Sequence, residues 1–146
     1  CEGLVGSEMC IRDRYMICTL SKHEAEKQGY TDSLMLDHED NIAEATGANI
    51  FFKDKNGELH TPIPDSFLDG ITRRTVIQIA KSKNIKVHER KIKPEELKDF
   101  VGCFLTGTAA EVTPVSTIAD YQFKVCDLII DLNESYLALV KKKKAA

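Results

Sequence analysis

Three features of the sequence have residue types and spacings that suit chemistry. Gly70-Ile71-Thr72 opens a predicted helix, and residues 107–110, which read GTAA, follow a predicted strand. Small-residue loops at such places bind phosphates and carboxylates through backbone N–H groups, although a glycine there more often serves only the backbone geometry. The third feature is Glu44, an acid inside an apolar run. It either faces solvent or is a buried carboxylate with a cationic partner.

Other catalytic or ligand-binding patterns are missing from the sequence. It has neither a Gly-x-Ser-x-Gly nucleophile elbow nor a Gly-x-x-x-x-Gly-Lys phosphate loop. The five cysteines are odd in number and never spaced as Cys-x-x-Cys, which argues against a disulfide scaffold and a thiolate zinc site. They favour a reduced, cytoplasmic compartment. The histidines are scattered, so we predict no metal site and surface positions for His23, His38, His60 and His88.

Composition and charge narrow the class of protein. The chain has 146 residues, 42% of them hydrophobic and 29% charged, which suits one globular domain with its own core. Its net charge is −3, whereas a nucleic-acid-binding protein normally carries a basic excess. The lysine run 141–144 is interpreted as part of a solvated tail, residues 141–146. No apolar run approaches the roughly 18 residues of a membrane span, so neither nucleic acid nor a membrane is an expected partner.

Hydrophobic periodicity predicts the elements that position these features. The predicted helices cover residues 15–28, 73–83 and 127–140, with a short one starting at Pro94. The predicted strands cover residues 33–36, 42–45, 49–53, 58–61, 85–89, 102–106 and 112–115. Strands and helices alternate, which indicates an α/β or α+β domain with a mixed sheet.

Turn and cap signals refine this prediction. Asn56-Gly57 predicts a hairpin turn, Thr72 is the expected cap of the second helix, and Pro114 places the last strand at a sheet edge. Cys18 and Cys103 lie in apolar surroundings and are interpreted as inert core thiols. The first fourteen residues show no period and are predicted to be loop.

Five runs of the sequence occur together in a recognisable order. They are residues 29–37 (GYTDSLMLD), 42–51 (IAEATGANIF), 61–62 (TP), 68–73 (LDGITR) and 104–115 (FLTGTAAEVTPV). With them, residues 15–140 resemble the larger, C-terminal domain of branched-chain aminotransferases, which are pyridoxal-phosphate enzymes of fold type IV. The resemblance implies a mixed sheet or partial barrel flanked by helices. It also implies transfer of an amino group between leucine, isoleucine or valine and 2-oxoglutarate, in a homo-oligomer that is a dimer or a hexamer.

The resemblance implies a role in cofactor binding for five residues. Glu44 would face the pyridine nitrogen of pyridoxal phosphate and keep it protonated. Tyr15 would hydrogen-bond the phenolic oxygen of the ring, and Leu68 would pack against the ring face. Ile71 and Thr72 would hold the phosphate at a helix N-terminus.

Three further residues are implied in phosphate and substrate binding. Thr108 would add a phosphate contact. The N–H groups around Thr108 and Ala109 would receive the substrate carboxylate. Gly47 would leave room beside the substrate, because it has no side chain.

One position departs from the family pattern. The Schiff-base lysine of the family lies five residues before the position of Tyr15, and Cys10 stands there in this chain. A thiol cannot form the imine that the amine of a lysine forms. We therefore expect no catalytic residue to be retained and the chain to be inactive by itself.

The same resemblance sets expectations for domain organisation. Residues 1–14 are expected to be a non-family segment, disordered or artefactual, and residues 15–140 the cofactor-binding domain of a longer parent protein. The smaller N-terminal domain of the family, which supplies a phosphate-binding arginine and part of the substrate pocket, is expected to belong to that parent.

Two alternatives to this function remain open from the sequence. A D-amino-acid aminotransferase or an aminodeoxychorismate lyase of the same fold type would share Glu44 and the Gly70-Ile71-Thr72 element. From another class, the chain could be a non-catalytic α/β interaction domain, in which Glu44 is exposed and the small-residue loops are only structural.

Overall fold

The computed structural model describes the backbone of residues 4–144 and the side chains of residues 16–141. The helices are α1 (Leu4–Lys27), α2 (Ile71–Ser82) and α3 (Asp127–Lys144), with a 3-10 helix at Pro94–Asp99. The strands are β1 (Leu34–Leu36), β2 (Ile42–Ala45), β3 (Asn49–Lys53), β4 (Leu59–Thr61), β5 (Val87–Glu89), β6 (Gly102–Gly107), β7 (Glu111–Pro114), β8 (Thr117–Ile118) and β9 (Tyr121–Gln122).

Five strands form a mixed sheet in the order β5-β4-β3-β6-β7. β4 and β5 are parallel and are connected through α2, whereas the other neighbours are antiparallel. β1 pairs with β2, and β8 with β9, in separate antiparallel hairpins. The predicted fold class, a mixed α/β sheet with flanking helices, is confirmed.

Two apolar clusters hold the sheet between other elements. On one face Phe51 of β3 stacks on Phe104 of β6 with ring centroids 5.0 Å apart, and both pack with residues of α2 and α3. On the other face Ile50 and Phe52 of β3 pack with Ile42, Ile92, Cys103 and Phe123. Because successive strand side chains point to opposite faces, one central strand serves both clusters. β3 is therefore rigidly placed, and it carries one wall of the site described below.

The local turn signals are confirmed. Gly57 has a φ of +86° in the turn between β3 and β4, a conformation that favours glycine. The Asp54 carboxylate accepts hydrogen bonds from the N–H groups of Asn56 and Glu58, both at 2.9 Å. Pro114 ends β7, which is an edge strand of the sheet. A proline has no backbone N–H to donate to a neighbouring strand, and an edge strand tolerates this loss.

Helix boundaries differ from the prediction in three places. α1 begins at Leu4, so the loop predicted over the first fourteen residues is wrong for residues 4–14. That segment has one glycine and no proline, and a weak apolar period does not prevent helix formation in it. The N-cap of α2 is Gly70, which places Thr72 in the first turn rather than at the cap. α3 continues through the lysine run to Lys144. The negative end of the helix dipole stabilises the lysine cations there.

Two of the four histidines are less exposed than the predicted surface positions imply. His60 of β4 and His88 of β5 are half-buried and stack with ring centroids 4.7 Å apart. The pairing of β4 with β5 places them side by side, a long-range contact that scattered positions in the sequence do not indicate. The short β8–β9 hairpin was not predicted either.

Candidate active site

A cavity of about 310 Å³ lies where β2, β3 and β6 meet the N-terminus of α2. This volume is at the lower end of the range for small-ligand sites, roughly 300–1,000 Å³. Seven of the eight residues to which the resemblance gives a site role line it together, namely Glu44, Gly47, Leu68, Ile71, Thr72, Thr108 and Ala109. The structure thus brings the three features singled out in the sequence, Glu44, the Gly70-Ile71-Thr72 element and the loop 107–110, to one cavity.

Glu44 supplies a carboxylate to this cavity. Its neighbours in β2, Ile42, Ala43 and Ala45, are buried, whereas Glu44 is half-buried and lines the cavity. The side-chain amide of Asn49 donates a hydrogen bond to Glu44 Oε2 at 3.3 Å. Glu44 is therefore neither an ordinary solvent-facing strand residue nor deeply buried, and its carboxylate is oriented by a neighbouring strand.

The N-terminus of α2 is suited to an anion. Gly70, its N-cap, offers no side-chain oxygen to the first turn, and that turn contains no acidic residue in the described helix. The first N–H groups of a helix carry its positive dipole end and lack partners within the helix. Thr72 is buried there, with its hydroxyl 3.4 Å from the hydroxyl of Tyr136. A phosphate would meet both the N–H groups and the Thr72 hydroxyl at this place.

A buried arginine fixes this helix end to the sheet. The Arg73 side chain is 1% exposed. Its guanidinium donates to Asp69 at 2.9 Å, to Glu89 of β5 at 2.8 Å and to the carbonyl of Pro62 at 3.0 Å. These bonds join the loop before α2, the first turn of α2 and the edge strand β5. The N-terminal end of α2 is therefore held by charge-assisted bonds.

The third wall of the cavity comes from β6 and the turn after it. Thr106 is buried, and its hydroxyl oxygen has no hydrogen-bond partner among the described residues. A Cβ on Gly107 would lie 3.3 Å from the carbonyl oxygen of Gly47, so the glycine at 107 allows the two backbones to approach closely. Thr108 and Ala109 are exposed at the rim. Thr106 lines the cavity, so this unpartnered hydroxyl lies within the cavity wall.

The residues present fit a phosphate-bearing aromatic cofactor. The cavity is lined by a carboxylate and by an uncapped helix N-terminus, which suit a protonated ring nitrogen and a phosphate respectively. A family model described as "Amino-transferase class IV" matches residues 9–118 of the chain. The chain belongs to the class IV aminotransferases.

Two relatives that carry an aminotransferase name match much of the chain. A probable branched-chain-amino-acid aminotransferase of Rickettsia bellii is 51% identical over 104 residues, which are 71% of this chain and 36% of the relative. A probable enzyme of the same name from Aquifex aeolicus is 37% identical over 147 residues, covering 97% of this chain and 47% of the relative. The chain spans less than half the length of these class IV aminotransferases.

Solved class IV aminotransferases share the fold. The branched-chain aminotransferase of Thermoproteus uzoniensis with norvaline has a TM-score of 0.82 at 36% identity, over 86% of this chain and 42% of that one. The branched-chain amino acid aminotransferase of Thermobaculum terrenum in its PLP-form also has a TM-score of 0.82, at 35% identity, over 86% of this chain and 42% of that one. The family model begins to match at residue 9, inside the segment for which the resemblance was expected to fail.

Two residues of the class IV pattern cannot be compared with the structure. The side chains of Tyr15 and Cys10 lie outside the described residues, so the expected ring contact and the departure at the lysine position stay predictions. Cys18, interpreted above as an inert core thiol, is instead half-buried and lines the cavity from α1. Cys103 is buried as expected, and burial raises the pKa of its thiol far above the ordinary range.

Asn49 is the site residue that sequence reasoning missed. It is 5% exposed, and its side chain lies between Glu44 and the loop before α2. The available signal was weak: an amide at the start of the otherwise apolar run Ile50-Phe51-Phe52. Only its contacts across the chain reveal it as part of the cavity wall.

Proposed function

We propose that the parent protein of this chain is a branched-chain-amino-acid aminotransferase that uses pyridoxal phosphate. It would move an amino group between leucine, isoleucine or valine and 2-oxoglutarate. The observation that carries the proposal is that Glu44 and the uncapped N-terminus of α2 line the same cavity. Relatives at 37–51% identity carry that enzyme name, and the matching Thermobaculum terrenum structure is a PLP-form.

The chain's own residues would bind and orient the cofactor. When bound, pyridoxal phosphate supplies an electron sink for the carbanion that forms at the substrate α-carbon. The Glu44 carboxylate would hold a proton at the ring nitrogen. The N–H groups of Ile71 and Thr72, with the Thr72 hydroxyl, would bind the phosphate, and Thr108 would add a contact. Leu68, which is 62% exposed beside the cavity, would cover one face of the ring.

The rim of the cavity would bind the substrate. The N–H groups around Thr108 and Ala109 would receive its carboxylate, as exposed turn amides do for anions. A Cβ on Gly47 would meet no described atom within 4 Å, so the space above this residue is open for a substrate side chain. Tyr15 would donate to the phenolic oxygen of the ring. The proton transfers would need an amine at the position of Cys10.

The proposal extends to the setting of the parent protein. Part of the substrate pocket and an arginine for the phosphate would come from its N-terminal domain, in a dimer or hexamer. A cytoplasmic location is supported by the thiols, since no disulfide joins the described cysteines Cys18, Cys103 and Cys126. Within residues 4–144, no helix is long and apolar enough to cross a membrane.

The test of cofactor binding uses the chain itself and pyridoxamine phosphate, which needs no lysine to bind. A ligand of the native state must raise the melting temperature by mass action. We expect pyridoxamine phosphate to raise it and pyridoxamine, which lacks the phosphate, to leave it unchanged. Equal effects of the two compounds, or none from either at millimolar concentration, would contradict the site.

The test of the reaction uses the parent protein. We expect a parent protein that has a lysine where this chain has Cys10 to transaminate L-leucine with 2-oxoglutarate and not D-alanine. Turnover of D-alanine alone would instead identify the D-amino-acid aminotransferase of the same fold type. After treatment of the chain with pyridoxal phosphate and borohydride, mass spectrometry should find adducts spread over surface lysines and no single stoichiometric site, because Cys10 stands at the lysine position and no described lysine lines the cavity.

A further inference from the structure

The side-chain amide of Asn49 contacts two walls of the cavity. Its Nδ2 donates to Glu44 Oε2 at 3.3 Å and to the backbone carbonyl of Leu68 at 2.8 Å. Its Oδ1 accepts a hydrogen bond from the backbone N–H of Gly70 at 3.2 Å. The buried Asn49 amide therefore joins β2, which carries Glu44, to the loop before α2.

The backbone partners fix which way this amide points. The Gly70 N–H can only donate and the Leu68 carbonyl can only accept, so Oδ1 must face Gly70 and Nδ2 must face Leu68. The same orientation turns a donor toward Glu44. This donor holds the Glu44 carboxylate as a hydrogen-bond acceptor, the role it would have toward a protonated ring nitrogen.

Packing leaves this arrangement little freedom. A Cβ on Gly70 would lie 2.5 Å from Asn49 Oδ1, a distance that real contacts do not show. The Asn49 backbone pairs with Thr106 in β6, the strand that carries the third wall of the cavity. A shift of Asn49 would thus move all three walls relative to one another.

We propose that Asn49 is a positioning residue of the cofactor site, which sets the Glu44 carboxylate and the loop from Leu68 to Gly70 at a fixed separation. This inference rests on the proposed function, since it assigns the amide a role toward the same cofactor. Asn49 acts through Glu44 and the loop, and its own hydrogen bonds are to protein groups. Sites that hold a ligand at two ends lose affinity when the ends move by a fraction of an ångström.

The experiment measures the dissociation constant of pyridoxamine phosphate for the chain across a pH series. Asn49→Asp is nearly isosteric and keeps the acceptor for Gly70, but at neutral pH it cannot donate to Leu68 or Glu44. We expect about tenfold weaker binding than wild type at neutral pH. The ratio of variant to wild-type constants should fall as the introduced carboxyl takes up a proton and donates again. Asn49→Leu should bind weakly at every pH.

Asn41→Asp is the matched control. Asn41 is also a buried asparagine, and its amide donates to Asp37 at 2.9 Å and Glu39 at 3.3 Å in a turn that does not line the cavity. The same change therefore places a carboxylate beside carboxylates and is expected to leave the affinity for pyridoxamine phosphate unchanged.

A second readout, amide exchange at Gly70, should stay slow in Asn49→Asp and become fast in Asn49→Leu.

The outcomes separate the two proposals. If wild type binds pyridoxamine phosphate and Asn49→Asp binds it equally well at neutral pH, the role of Asn49 is overturned while the cofactor site stands. A loss of affinity that does not recover on acidification, or that Asn41→Asp shares, also overturns it, because general destabilisation would then explain the effect. If wild type binds no pyridoxamine phosphate, the cofactor site and the role of Asn49 fall together.

Discussion

Arg73 Nη2 lies 2.8 Å from Glu89 Oε2, which ties the first turn of α2 to the edge strand β5. The guanidinium is 1% exposed, whereas Asp69 and Glu89 are 38% and 42% exposed. The cation is thus buried and its two partners remain solvated. Such an arrangement avoids burying three charges at once, while the arginine stays bonded on two of its nitrogens.

Replacing this arginine should destabilise the fold. Arg73→Leu would lose its bonds to two carboxylates and to the Pro62 carbonyl, and we expect a loss of about 2–4 kcal/mol in the free energy of unfolding. Urea denaturation followed by circular dichroism measures it. Arg74→Leu is the matched control, because Arg74 is 59% exposed and lies 3.7 Å from Asp69. It should change stability by less than about 0.5 kcal/mol. Equal losses in the two variants would contradict the role assigned to Arg73.

A methyl group should be tolerated at one glycine of the cavity and not at another. Gly70→Ala would bring its Cβ to 2.5 Å from Asn49 Oδ1, an atom held by its own hydrogen bond, whereas Gly47→Ala would meet no described atom within 4 Å. We expect Gly70→Ala to cost about 1–3 kcal/mol and Gly47→Ala less than about 0.5 kcal/mol. Thermal unfolding of both variants beside wild type decides the matter, and a stable Gly70→Ala chain would show that the contact relaxes freely.

The turn from Asp37 to Asn41 should weaken in acid. Hydrogen bonds from the Asn41 side chain, and then from the N–H groups of Asn41 and Glu39, lower the pKa of Asp37 to about 2. A carboxyl whose pKa is lower in the folded state stabilises the fold above its ordinary pKa, and this contribution is lost as the pH falls toward 2. The difference in unfolding free energy between wild type and Asp37→Ala should therefore shrink between pH 4 and pH 2. A difference that is independent of pH over this window would refute the assignment.

Thiol labelling should distinguish the three described cysteines. Cys103 is buried, and its raised pKa keeps it protonated, so we expect it to react with iodoacetamide only on unfolding. Cys18 and Cys126 are both half-buried, but only Cys18 lines the cavity. Pyridoxamine phosphate should slow labelling of Cys18 and leave the rate at Cys126 unchanged, as measured by mass spectrometry of the digested chain. Equal protection of both thiols would place the ligand elsewhere or indicate a global effect.

Local signals predicted local structure well. Asn56-Gly57 predicted its hairpin because the glycine with positive φ that closes the turn between Asp54 and Glu58 is encoded in the turn itself. The N-cap of α2 shows that local signals alone do not predict every cap, because it is Gly70 and not Thr72. A threonine is the better cap in isolation, but Gly70 takes that position because the Asn49 amide already occupies the space of a side chain there.

Most of the residues that line the candidate site were predictable from the sequence, but the hydrogen bonds between them were not. Glu44 and the small-residue loops stood out by residue type, and the resemblance placed them in one site. The bonds from Asn49 to Leu68 and Gly70 span 19 and 21 residues of sequence, and no period or motif encodes such a contact. The stacked pair of His60 and His88 is a second case, since it exists only because β4 and β5 align in parallel.

The position of β3 also bears on the order in which the molecule assembles. Its hairpin with β4 closes a short loop and can form early, whereas its pairing with β6 must wait for a distant part of the chain. The cavity needs both, because β3 carries Asn49 and β6 carries Thr106. During refolding, helical and hairpin signals should therefore recover before the capacity to bind a phosphorylated ligand, which makes ligand binding a late and sensitive reporter of completed folding.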